Sequence, residues 1–128
     1  MGLGIHGKNY VVAIPIPFLD RGGKELNKKL RRKWQRKVQK ELTEWFGGAL
    51  PYSSPGTFNL PDPLTGKVRS YIEKGQVLMI SGCDDREEFL SKRERIENLA
   101  EAMGKALNQA AVLVLAFPSD SFLIEFEG

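Results

Sequence analysis

Five cations, Lys29, Arg32, Lys33, Arg36 and Lys40, recur at the three- and four-residue spacing that puts side chains on one helical face. They lie in KELNKKLRRKWQRKVQKELTEWF, residues 24–46, which reads as a single amphipathic helix. Leu30, Trp34, Val38, Leu42 and Trp45 fall on the opposite arc. No acidic residue interrupts the cationic stripe after the first turn. A solvated helix face usually alternates sign, because opposite charges four apart gain about 0.2–0.5 kcal/mol and like charges lose as much. The chemistry open to this face is capture of an anion. Phosphates of a nucleic acid or nucleotide would satisfy it, and so would an acidic protein surface. The stripe contains no Asn and has only Gln35 and Gln39 at its margins, which offers little for reading bases.

A second anion-binding candidate is the turn Arg21-Gly22-Gly23-Lys24, read as joining a strand to the N-terminus of that helix. Free N–H groups and the positive end of the dipole can hold a phosphate there, with two glycines allowing close approach. The spacing is not that of a P-loop. Ser53-Ser54-Pro55-Gly56-Thr57 places hydroxyl donors among small residues, as a ligand lid would, although a plain mobile connection is the simpler explanation. Asn108-Gln109 stands at a helix-to-strand junction, where amides either contact a ligand or cap the last turn.

Catalytic chemistry finds little in these residues. His6 is the single histidine, which removes paired-histidine nucleases and weakens any Ser-His-Asp or Cys-His scheme. Cys83 is followed by Asp84 and Asp85, whose charge would oppose a thiolate. Asp84, Asp85, Glu87 and Glu88 could hold a metal weakly, but capping of a helix accounts for them without one. No catalytic residue, metal ligand or cofactor is assigned.

The elements that must position the stripe come next. With 128 residues, 41% apolar and 27% charged, the chain suits one soluble globular domain over 1–128. One cysteine precludes an internal disulfide, and with no secretory leader or membrane-length apolar run a cytoplasmic location is expected. Residues 24–44 carry nine Lys or Arg against three Glu, a net +6, whereas the whole chain is +3; the remainder is therefore −3. The basicity belongs to one helix.

Residues 1–8 are expected to be flexible, and Asn9 to Ile16 reads as a strand whose pairing Pro15 should stop near Ile14. Gly47-Gly48 ends the first helix, and 49–66, with four prolines, reads as a long irregular loop. Val68 to Glu73 and Gln76 to Ser81 flank Lys74-Gly75 as a predicted β-hairpin. A second helix follows, capped by Asp84 or Asp85, with Phe89, Ile96, Leu99, Ala100, Met103 and Leu107 at helical spacing. Ala111 to Phe117 is an apolar strand, and Phe122 to Phe126 a final one beside it. The order is β-α-β-β-α-β plus a C-terminal strand, the ferredoxin-like pattern of an α+β antiparallel sheet with both helices on one face.

Phe46-Gly47-Gly48, the irregular loop, the strand QVLMIS and Leu107-Asn108-Gln109-Ala110-Ala111-Val112 form a progression over residues 10–126. In this the chain resembles a group of small uncharacterised bacterial, plasmid and phage ferredoxin-like proteins. Asn108 replaces the Gly expected there, and the tryptophan that often follows the loop glycine is absent. The resemblance implies the fold and no activity.

The sequence thus predicts a small binding protein for an anionic ligand, nucleotide or nucleic acid, acting without catalysis. The ligand-binding residues are Lys29, Arg32, Lys33, Arg36 and Lys40, with Arg21, Gly22, Gly23 and Lys24 as the secondary site. The alternatives are a protein-interaction or self-assembling module that meets an acidic protein partner, and a phage or plasmid protein that sequesters a small nucleotide signal. No membrane partner is expected. Self-association is, because Phe122, Leu123, Ile124 and Phe126 would make the last strand apolar on both faces.

Overall fold

The computed structural model describes residues 8–120, together with Ile124 and Phe126. In chain order these form β1 (Tyr10–Ile16), α1 (Lys28–Phe46), β2 (Leu50–Ser53), β3 (Phe58–Pro61), β4 (Val68–Ile72), β5 (Val77–Cys83), α2 (Arg86–Ala106) and β6 (Leu115–Pro118). Four strands make the main sheet in the order β2-β5-β1-β6, with every neighbouring pair antiparallel. That is the ferredoxin-like arrangement, with β3 and β4 inserted as a separate two-stranded sheet between the second and third of its strands.

Successive strand residues point to opposite faces, and residues directly opposite across a ladder share one. Tyr10, Val12, Ile14 and Ile16 of β1, with Met79 and Cys83 of β5, lie on the face that both helices cover. Trp34, Val38, Leu42 and Phe46 of α1 and Ile96, Leu99 and Met103 of α2 complete this core. The other face carries Val11, Ala13 and Pro15 opposite Gly82, Ile80 and Leu78, flanked by Leu50 and Tyr52 of β2 and by Leu115 and Phe117 of β6. Apart from Gly82, which the Lys8 side chain overlies, and the Tyr52 hydroxyl, the strand residues on it are apolar. Neither helix covers it.

Several boundaries differ from the sequence reading, each for a local reason. The first helix begins at Lys28, not Lys24, because the Asn27 side chain accepts from the Leu30 N–H (3.1 Å) and caps it. Residues 19–25 close instead into a small loop through a Leu19–Glu25 bridge. The predicted hairpin across Lys74-Gly75 does not form: β4 pairs with β3, and β5 enters the main sheet between β2 and β1. Gln76 helps to hold the change of partner. Its side chain accepts from the Glu73 N–H (2.9 Å) and donates to the Ile16 carbonyl (3.1 Å), while its own carbonyl accepts from the Ser54 N–H.

The segment 49–66 is not an irregular loop, since it contains β2 and β3. Pro51 is tolerated because β2 is an edge strand. Asp62 organises the turn of the inserted hairpin by accepting from the N–H groups of Leu64 (2.8 Å) and Thr65 (3.3 Å), and its other oxygen meets Arg69 at 2.9 Å. The Leu64 contact, followed by Arg69, holds the Asp62 carboxyl below the usual carboxylate range. Pairing of β1 continues past Ile14 to Ile16 on the β5 side and stops at Ala13 on the β6 side, so Pro15 faces an unpaired edge there. The last-but-one predicted strand is shorter, Leu115–Pro118. The predicted flexible segment falls almost wholly, and the predicted strand 122–126 mostly, outside the described residues; Ile124 and Phe126 are exposed and not in a strand.

Other expectations hold. Gly47 closes α1 in the left-handed region (φ 91°), its N–H bonding the Thr43 carbonyl. Asp85 caps α2 by accepting from Glu88 N–H (2.8 Å), while Glu88 reaches back to the Asp84 N–H (3.3 Å). No helix among the described residues is long and apolar enough to cross a membrane.

Two outcomes follow from this packing. Leu42 is fully buried and Leu64 is 94% exposed. Leu42→Ala should therefore cost about 2–5 kcal/mol in denaturant unfolding, and Leu64→Ala about 0.5 kcal/mol or less. Cys83 sits in the core, and burial first, then the nearby Glu88 carboxylate, pushes its thiol up to about 11. At pH 8 it should hold about a hundredfold less thiolate than an ordinary cysteine. Ellman's reagent should leave the folded protein unlabelled while reacting at once with the denatured chain; equal rates would refute this account of Cys83.

Candidate functional site

Helix α1 is oriented by its buried side. Trp34, Val38, Leu42 and Phe46 anchor it against the sheet, with Leu30 and Trp45 packed at the margin. Their opposite arc necessarily faces solvent, and all five stripe cations are exposed. None of them makes an ion pair, hydrogen bond or ring contact with another described residue. Two other cations of the helix do find partners. Arg31 lies 3.7 Å from Glu25, and the Lys37 ammonium sits 5.3 Å from the centre of the Trp34 ring.

Helix α2 makes a useful control within the same molecule. Its 21 residues carry five Lys or Arg and five Glu, and four of these charges pair at i,i+4: Arg93 with Glu97 (2.9 Å) and Lys105 with Glu101 (2.7 Å). Over the 19 residues of α1 the count is eight to two. Both helices cover the same sheet face, yet one neutralises itself and the other presents bare positive charge.

The predicted anion turn is built differently from the expectation. It does not abut the helix N-terminus, which starts at Lys28. The N–H groups of Gly22 (2.8 Å) and Lys24 (2.9 Å) both donate to the Asp20 carboxylate, and the Gly23 N–H donates to the Asp20 carbonyl (3.0 Å). Asp20 thus supplies from within the chain the negative charge that a bound phosphate would bring. Arg21 turns away to donate to the Gln109 carbonyl (2.7 Å).

Asn108-Gln109 ties this turn to the end of α2. Asn108 takes positive φ (51°), which Asn tolerates, so it can stand where Gly was expected. Its carbonyl accepts from the Arg21 N–H, and the Gln109 amide donates to the carbonyls of Leu19 (2.8 Å) and Leu107 (2.9 Å). The amides cap and brace. Ser54, in the predicted lid, is also fixed, with its N–H on Gln76 and its carbonyl accepting from Gly75.

The sequence reading missed the cavities, because no linear motif marks them. One of about 550 Å³ lies between α2 and residues 109–114, with Ala100, Gly104, Val112 and Val114 as its apolar lining and Arg21, Glu97, Glu101 and Lys105 as its charged lining. That volume suits a drug-sized or nucleoside-sized molecule. Gly104 makes room for it: a Cβ there would meet Val112 at 3.1 Å. The cavity takes in Arg21 and none of the five stripe cations, so the two predicted sites are separate places. His6 and any role for it lie outside the described residues.

Comparison with known proteins bears on the fold. No family model matches the chain, and no curated protein does. Among solved structures, a phage SAM lyase in complex with S-methyl-5′-thioadenosine is similar, with a TM-score of 0.53 and 11% identity over 92% of this chain and 87% of that one. At that identity the likeness establishes a shared α+β architecture, reached by a sequence that has almost nothing else in common with it.

Proposed function

We propose that this protein binds an anionic ligand of the nucleotide or nucleic-acid class on the exposed face of α1, with Lys29, Arg32, Lys33, Arg36 and Lys40 contacting phosphates. The observation that carries this reading is the contrast between the helices, one internally paired and one not. Unpaired like charges three and four residues apart repel, and a phosphate backbone removes the repulsion while releasing its counterions. The similar SAM lyase was captured with S-methyl-5′-thioadenosine, a nucleoside without a phosphate, so it supports the nucleoside part of such a ligand and the stripe alone supports the anionic part.

Binding of this kind has a diagnostic salt dependence. Fluorescence anisotropy with labelled single- and double-stranded oligonucleotides and with nucleotides should show affinity falling steeply with salt. Arg32→Glu with Arg36→Glu should weaken it by about two orders of magnitude, since two contacts become repulsions. Both positions are exposed, so folding should change by about 0.5 kcal/mol or less. Affinity that ignores salt, or survives the double reversal, would eliminate the proposal.

A second reading, self-association, is favoured by a different surface. The sheet face that neither helix covers is largely apolar, with Leu50 73%, Tyr52 49% and Phe117 45% exposed at its flanks and Ala13 and Pro15 buried at its centre. Sheets with one solvated face normally alternate apolar and polar residues, and this one does not. Light scattering should therefore find an oligomer at micromolar concentration and a monomer for Leu50→Asp. A wild-type monomer at every concentration would dispose of this reading.

A further inference from the structure

The cavity of about 550 Å³ beside α2 is a groove along one edge of the main sheet. β6 pairs with β1 on one side and has no strand on its other side among the described residues. The phase of its hydrogen bonds is set by Ser119, whose N–H donates to the Asn9 carbonyl (2.9 Å). Every second residue back from there, Phe117 and then Leu115, faces β1 in the same way. Ala116, Val114 and Val112 alternate with these, and their side chains all pack against the core. Their N–H and C=O groups therefore point to the open edge. Residues 110–114 make no backbone hydrogen bond among the described residues.

Across the groove stands α2. Gly104 lies beside Val112, and Ala100, one turn earlier in the helix, lies toward Val114, so these four residues make an apolar floor. From Glu97 to Gly104 the helix rises about 10 Å, the reach of about three strand residues. The charges on the rim are mostly answered. Glu97 pairs with Arg93 and Glu101 with Lys105, which leaves Arg21 as the lining charge without an ion pair among the described residues. Arg21 is exposed and stands at the Gln109 end, where its Nη2 donates to the Gln109 carbonyl (2.7 Å). Its Nε and Nη1 meet no acceptor among the described residues.

We propose that this groove binds the extended C-terminal end of another polypeptide, as a strand added antiparallel to residues 110–114. Strand addition gives partners to the open backbone edge, and the antiparallel direction brings the peptide's C-terminus to the Gln109 end. There the terminal carboxylate meets Arg21, so the one uncompensated charge selects both the direction and a chain end. The last side chain lies opposite Val112 and over Gly104, and the one two before it lies opposite Val114 and beside Ala100. Both are apolar, and the residue between them faces away from the helix. The site uses the sheet edge, neither the α1 stripe nor the uncovered sheet face, and depends on neither earlier reading.

The test uses the peptide Gly-Gly-Ser-Val-Thr-Leu with an N-terminal fluorophore, followed by anisotropy for affinity and by NMR of ¹⁵N-labelled protein for position. Binding should saturate and shift the amides of Gly104 and of residues 110–114. Replacing the terminal carboxylate with an amide should weaken it by about tenfold. Methylating the peptide's valine N–H, which faces the edge, should weaken it as much, whereas methylating the threonine N–H, which faces outward, should change little. Arg21→Gln should weaken the acid by about tenfold and leave the amide form unchanged, and Arg32→Glu with Arg36→Glu should affect neither. If Arg21→Gln perturbs the fold, the peptide comparisons on the unaltered protein still decide. No saturation at millimolar peptide, equal affinity for acid and amide, equal loss from the two methylations, or shifts centred on α1 would each overturn the proposal.

Discussion

Seven consecutive residue pairs, from Tyr10–Cys83 to Ile16–Val77, join β1 to β5 antiparallel at the centre of the sheet, and nearly every other feature depends on that register. A slip of β1 by one residue would exchange its two faces. Tyr10, Val12, Ile14 and Ile16 would leave the helices, and Val11, Ala13 and Pro15 would replace them. The helix-covered face holds the larger side chains, so the observed register buries more apolar volume against α1 and α2. Gln76 secures one end of the ladder through the Ile16 carbonyl, and the Lys8–Asp84 ion pair (2.8 Å) lies just beyond the other.

Once the sheet fixes which side of α1 is buried, the cationic stripe has no choice of direction. Five like-charged pairs occur on it at i,i+3 or i,i+4: 29–32, 29–33, 32–36, 33–36 and 36–40. At about 0.2–0.5 kcal/mol each, their repulsion totals about 1–2 kcal/mol. Burial of Leu42 or Phe46 alone is worth about 1.5–3 kcal/mol. Packing therefore wins easily, and the helix folds in spite of its charge. For the same reason stability alone does not explain the stripe, because replacing Arg36 with Glu would relieve repulsion without touching the core.

The helices, their caps and the ferredoxin-like class were legible in the sequence, because each rests on contacts within a few residues. Trp34, Val38 and Leu42 announce the buried face of α1 by spacing, and Asp85 announces the start of α2. Strand partners were not legible in the same way. Residues 68–73 and 76–81 flank Lys74-Gly75 as the strands of a hairpin would, yet β5 pairs with β1 across some sixty residues and with β2 across some thirty. Nothing local distinguishes those pairings; the side chain of Gln76, reaching Ile16, is part of what selects them. The stripe itself was readable, whereas the answer of Asp20 to its own Gly-Gly turn, the cavity beside α2 and the unsatisfied Arg31 Nε all required tertiary structure.

A sequence specifies a fold best when patterning, polar satisfaction and electrostatics agree, and natural proteins depart from that agreement at functional places. Three departures stand among the described residues: unpaired cations on α1, an apolar sheet face that neither helix covers, and a buried donor without an acceptor. The first two are costs to the isolated chain that different partners would remove, a polyanion and an apolar surface. They lie on different parts of the fold, so relieving one does not relieve another. The anion turn shows the contrary case. There Asp20 satisfies the N–H groups of Gly22 and Lys24 internally, and where the chain has met its own electrostatic demand the physical argument for a ligand is correspondingly weak.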